Sequence, residues 1–226
     1  GYVGMGAAGS GAETVIGNAT ASFTNVNVSS NASRGLYIGA HGAVAVLGNA
    51  EWTVTNSTAN ANGSDGIRVG GNGAQTATGN ANASIASTVM NGNGSNGLRI
   101  GTNGAAAVDG EATFTLSSVE AVLNADNGIR IGQNASSSSN GDATATFQNV
   151  LVSLNGDEGL TIGQNGAQTA NGNALIAFGG VAASSNGWTG IHVGQNAAMT
   201  GTGNAGTFFA VVAANANQQH GIQIGT

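Results

Sequence analysis

Side chains able to do chemistry are few in this chain, and most of them recur at one fixed spacing. It carries ten Asp and Glu, three His, no Cys and four basic residues, all of them arginine. Arg68, Arg99 and Arg130 follow one another at intervals of 31 residues, and so do Glu111 and Asp142, with Asp109 close by. Two carboxylates about 5 Å apart on neighbouring strands are what a retaining glycosidase needs. Stacked carboxylates are also where calcium could bind. Against both readings, other repeats hold Asn where Glu111 and Asp142 stand, and a lyase would want a basic residue that this Lys-free chain does not place there. A solvated acidic patch is therefore the expectation, with no metal, no cofactor and no catalytic group. Asp109, Glu111 and Asp142 are the nearest approach to a metal site. The arginines could form a cationic stripe for an acidic glycan, a carboxylate or a neighbouring subunit. The preferred reading is a solvated stripe balanced by acids such as Asp65, Asp126 and Asp157. His41, His192 and His220 share no spacing that would make a metal site or a triad.

The same interval organises the whole chain. Gly35, Gly66, Gly97, Gly128, Gly159, Gly190 and Gly221 open the phrases GLYIG, GIRVG, GLRIG, GIRIG, GLTIG, GIHVG and GIQIG, each 31 residues after the last. Full repeats start at 35, 66, 97, 128, 159 and 190 without insertion or deletion. Residues 17–226 are read as repeats and residues 1–16 as an irregular joint. Tyr2-Val3-Gly4 matches the phrase only if about four residues are inserted after it.

Counting from the opening Gly, positions 2 and 4 are always apolar and position 3 is mostly polar. Positions 16, 18 and 20 point inward, the phase slips by one at 21–22, and positions 23 and 25 become the apolar pair. Alternation of period two marks strands, and an odd slip marks a corner or bulge. Three short strands per repeat cannot bury their own inner face, so copies must stack. The expected fold is an all-β, single-stranded parallel β-solenoid of about seven coils of 31 residues. Position 28 is Asn throughout (Asn62, Asn93, Asn124, Asn155, Asn186, Asn217), which predicts a ladder of stacked amides along the rod. Position 7, Asn from Asn72 to Asn196, predicts a second turn ladder.

The run GSDGIRVG and the pattern ATFQNVLVSLNGDEGLTIG resemble right-handed parallel β-helix repeats of the pectate-lyase-like superfamily. The resemblance covers nearly the whole chain from about residue 17. It implies a right-handed solenoid and an inward-facing Asn ladder, and it carries fold, not activity.

Composition narrows the function further. A net charge of −6 with only four Arg excludes a nucleic-acid footprint. No apolar run approaches the length of a membrane span. Enzymes on such rods usually carry long loops that build a cleft, and six indel-free repeats offer none. The expectation is a non-enzymatic structural protein, extracellular or on a prokaryotic cell surface, whose uncapped, nearly complementary ends let it stack head to tail with copies of itself. The alternative is the stalk of a large adhesin, flanked by further repeats and touching acidic glycans. A polysaccharide lyase or hydrolase ranks last.

Overall fold

The computed structural model describes residues 3–4 and 9–225. No helix occurs among them, and the chain winds through three parallel sheets of eight, seven and seven strands. The coil opened by Gly97 is representative. It places Leu98–Ile100 in sheet A, Ala105–Asp109 in sheet B and Ala112–Glu120 in sheet C. Leu98 pairs with Ile67 below and Ile129 above, Ala105 with Ala74 and Ser136, and Ala112 with Ala81 and Ala143. Each step is the 31-residue period, so the expected solenoid of about seven coils is the observed one.

The start of the chain departs from the expectation. Val3 lies opposite Leu36, a separation of 33 residues, whereas Ala12 lies opposite Ala43 at 31. Two residues, not four, are therefore additional, and Val3 falls at position 2 and not position 4. Backbone hydrogen bonding sets this register, and the local match of Val-Gly to Ile-Gly does not. Ala12–Ile16 is already a regular strand of sheet B, so regular coiling begins before Gly17. Gly1, Tyr2 and residues 5–8 of the expected joint lie outside the described residues.

Inner columns close the core. Ile100, Ala105, Ala112, Phe114, Leu116, Val119 and Ala121 of one coil are all buried. Each large member contributes about 1.5–3 kcal/mol by leaving water. Position 20 forms an aromatic stack: Phe147 and Phe178 lie 5.0 Å apart at 15°, and Phe178 and Phe209 lie 5.0 Å apart at 9°. The phase slip is a left-handed residue at position 22, with φ of 49° at Asn56, 54° at Ser118 and 51° at Asn149. Asn and Ser tolerate that region because a short polar side chain can bond locally. It turns the strand so that positions 23 and 25 face inward. Position 14 turns the corner between sheets B and C; at Gly110 φ is +143°, and a Cβ there would meet the carbonyl oxygen of Gly79.

Sheets B and C are fitted to each other by size. A Cβ on Gly42 or Gly73 would strike Trp52, one on Gly104 would strike Phe114, and one on Gly166 would strike Ile176. Where position 8 is alanine, as at Ala135 and Ala197, position 18 of the same coil is Ala145 or Thr207. Glycine is the partner that lets a thin alanine-rich core hold an occasional large side chain at native packing density.

At the C-terminal end the core lies open. Phe209, Ile222 and Ile224 are 43%, 41% and 44% exposed, whereas Phe178, Ile191 and Val193 one coil earlier are at most 1% exposed.

Candidate functional site

The arginine column projects from the outer face of sheet A. Parallel pairing sets Arg99 opposite Arg68 on one side and opposite Arg130 on the other. Buried Asp65, at the turn leading into the sheet, approaches Arg68 at 3.6 Å and Arg34 at 3.9 Å. Its Oδ1 also accepts hydrogen bonds from the Asn96 backbone N–H (3.2 Å) and Nδ2 (2.9 Å). The Arg34 guanidinium lies 4.5 Å from the centroid of the Tyr37 ring, a cation–π contact. Arg99 and Arg130 have no carboxylate oxygen within 4.0 Å among the described residues. Partial burial lowers the Arg99 pKa, and the Arg68 and Arg130 charges add to the effect while Asp65 opposes it. The expected balance by Asp65 thus reaches Arg68 and Arg34 at short range and leaves Arg99 and Arg130 without a partner.

The other two acids expected to balance the stripe stand further along the same turn. Ser95 donates to Asp126 Oδ2 at 2.6 Å. Burial pushes the Asp157 carboxyl up, and so do the charge and hydrogen bond of Glu158 and the charge of Asp126, while Arg130 pulls it down. Glu158 also faces His192 Nδ1 at 3.4 Å.

Two of the three carboxylates on the far side of sheet B accept hydrogen bonds from the next coil. Asp142 Oδ1 accepts from the Asn173 backbone N–H at 2.7 Å. Asn49 Oδ1 and Asn80 Oδ1 accept in the same way from Asn80 and Glu111. Position 15 is thus a turn ladder in which Asp142 stands in for Asn. Asp109 accepts from Asn140 Nδ2 at 2.8 Å, and Glu111 is exposed. Among the described residues no group of three or more His, Asp or Glu is arranged to hold a metal.

The Asn ladder at position 28 runs as expected. Asn93 donates from both its backbone N–H (3.0 Å) and its Nδ2 (2.9 Å) to Asn124 Oδ1, and Asn124 does the same to Asn155 Oδ1. Asn62, Asn155, Asn186 and Asn217 continue the series. Position 7 runs with the opposite polarity: Asn103 donates back to Asn72 Oδ1, and Asn134 donates back to Asn103 Oδ1. Comparison with protein-family models, curated proteins and solved structures finds no match for this chain.

The second ladder contains a residue that the histidine spacing did not reveal. His41 occupies position 7, and its Nδ1 accepts the Asn72 backbone N–H at 2.9 Å. Reading His41 in its column, 31 residues before Asn72, would have found it. Burial lowers the His41 pKa, and the charge of Glu13 opposes that shift. Only the neutral ring can accept at Nδ1. A lowered folded pKa means that the unfolded chain binds the proton first, so stability is full above the ordinary value of 6.5 and falls as pH drops below it. His41→Asn is expected to continue the ladder and remove this loss. Thermal melts of the two proteins should separate progressively below pH 6.5 in favour of the variant, and parallel curves would contradict the assignment.

A shallow groove of about 420 Å³ lies over the last two coils, lined by Ala174, Leu175, Phe208 and the ladder residues Asn173 and Asn204. It contains no titratable side chain.

Proposed function

We propose that the chain is a structural rod of an extracellular or cell-surface fibre, lengthened by the stacking of coil on coil between copies. The observation that carries this reading is the uniform joining of coil to coil, in which parallel pairing and the amide ladder repeat at every 31-residue step and so offer one coil the same contacts as any other. Between two copies the same contacts would be made at the usual strand spacing, the strands Ala12–Ile16 and Ala19–Thr24 of one continuing sheets B and C of the other. Sheet A has eight strands to seven in each of the others. At the joint, Ile222–Ile224 of one copy and Val3–Gly4 of the next therefore meet at one level. The three-residue strand takes that place beside Leu36–Ile38, because it satisfies more of the ladder.

The non-enzymatic reading is supported by the commitment of Asp109 and Asp142 to hydrogen bonds between coils and by the absence of loops interrupting the repeats. The adhesin-stalk reading is supported by the same coil-on-coil pattern, made then within one polypeptide.

The test is assembly of the purified chain. Electron micrographs should show filaments whose axial repeat is about seven strand spacings, ~34 Å. Phe209→Asp should leave monomers whose circular dichroism spectrum keeps its β-sheet shape, since it charges the contact and uncovers only the Phe178 ring stacked beneath it. A wild-type chain that stays monomeric at high concentration in sedimentation would sink the end-to-end reading.

A further inference from the structure

The four arginines, Arg34, Arg68, Arg99 and Arg130, gather on one side of the rod, at and beside the outer face of sheet A. Asp109, Glu111 and Asp142 gather at the turn between sheets B and C, with the full width of sheet B separating them from the arginines. The two groups stand at the same height. Arg99, Asp109 and Glu111 belong to the coil opened by Gly97, and Arg130 and Asp142 to the coil opened by Gly128. Arg130, Asp109 and Glu111 are exposed, and Arg99 is half-buried.

Guanidiniums stacked at a strand spacing of about 4.8 Å repel one another. Arg68 is relieved by Asp65, while Arg99 and Arg130 have no acid within 4.0 Å among the described residues. Asp126, Asp157 and Glu158 border the Arg130 end of the column, so the uncompensated charge centres on Arg99. Arg99 and Arg130 thus stand without a close acid on a side that also carries Asp65, Asp126, Asp157 and Glu158, level with the acidic turn on the other side.

We infer that copies of this chain pack side by side, parallel and without axial offset, with Arg99 and Arg130 of one rod set against Asp109, Glu111 and Asp142 of its neighbour. Such a contact joins different surfaces of identical rods and does not close, so it extends into a sheet or bundle. Zero offset also keeps the rod ends flush, which makes lateral packing compatible with end-to-end stacking without depending on it. Exposed ion pairs are individually weak; many copies along a fibre would sum them.

Because the contact of two single chains is weak, the test must trap it covalently. The chain has no lysine, so Arg99→Lys introduces the one side-chain amine. A carbodiimide then joins that amine to any carboxylate in direct contact, forming an amide as the carbodiimide leaves as its urea. In an equal mixture of nitrogen-14 and nitrogen-15 chains, mixed-isotope cross-links from position 99 to Asp109 or Glu111 are expected. Their yield should fall at least about tenfold when added salt shortens the screening length to a few ångströms. Asp109→Asn with Glu111→Gln should remove them. Cross-links confined within single chains, spread evenly over all acids or indifferent to salt would overturn the proposal. So would their absence from Arg99→Lys when the unaltered chain is held on a sulfated resin through Arg99, because the column would then serve an outside polyanion. Loss of end-to-end stacking alone would leave these cross-links in place, and loss of the lateral contact alone would leave single filaments without them.

Discussion

Gly104→Ala is expected to destabilise the rod by about 3 kcal/mol, the upper range for forcing atoms into a packed core. The added Cβ would meet the Phe114 ring and the Ala135 carbonyl oxygen. The carbonyl contact alone is tolerable, because alanine occupies the same position at Ala135 and Ala197. The ring contact is what distinguishes this coil. Phe114→Ala alone should cost about 3–5 kcal/mol, since it empties a fully buried site. The two changes together should cost clearly less than their sum, because each removes the other's clash or void. Together they reproduce the pairing of Ala135 with Ala145 in the next coil. Denaturant unfolding of the three variants decides the matter, and strict additivity would show that the two columns are not coupled.

That coupling was written in the sequence but not in the features read first. Positions 2, 4, 16, 18 and 20 alternate, so their inward direction followed from period two alone. The phase slip was equally visible, and its cause, a left-handed residue at position 22, is consistent with the Asn and Ser found at Asn56 and Ser118. The trade between Gly104 and Phe114 needs two columns compared across a coil, and no single column shows it. The same holds for His41, which reads as a stray histidine until it is set above Asn72 in the ladder.

The candidate sites were legible as columns and illegible as environments. A 31-residue repeat guarantees that Arg68, Arg99 and Arg130 stack. It says nothing of whether Asp65 turns toward one of them or all. That depends on side chains from two coils converging on one carboxylate, which also serves Asn96. Likewise Asp142 looked like half of a carboxylate pair, but the backbone N–H of Asn173 claims it. Neighbouring Asn residues at that position were the clue, since Asn and Asp can accept the same hydrogen bond at a turn.

Asn124→Ala gives the second large effect, and it tests whether the amide ladder or mere burial holds the turns together. Removing the side chain deletes the Oδ1 that accepts from both the backbone N–H and the Nδ2 of Asn93. Asn93 is 1% exposed, so water cannot replace the lost acceptor. Two orphaned buried donors at 1–3 kcal/mol each give an expected loss of about 4 kcal/mol. Asn217→Ala removes the matching acceptor from Asn186, but Asn186 Nδ2 keeps the Val152 carbonyl oxygen as a second acceptor, and half-buried Asn217 leaves a place that water can enter. Its expected cost is about 1 kcal/mol, the ordinary net value of a hydrogen bond. Because each coil contacts only its neighbours, the damage should stay local. Amide hydrogen exchange at Asn93 should therefore accelerate strongly in Asn124→Ala, while amides two coils away change little. Equal losses from the two substitutions would mean that desolvated donors do not govern the ladder, and that the repeated geometry of the turn comes from the backbone alone.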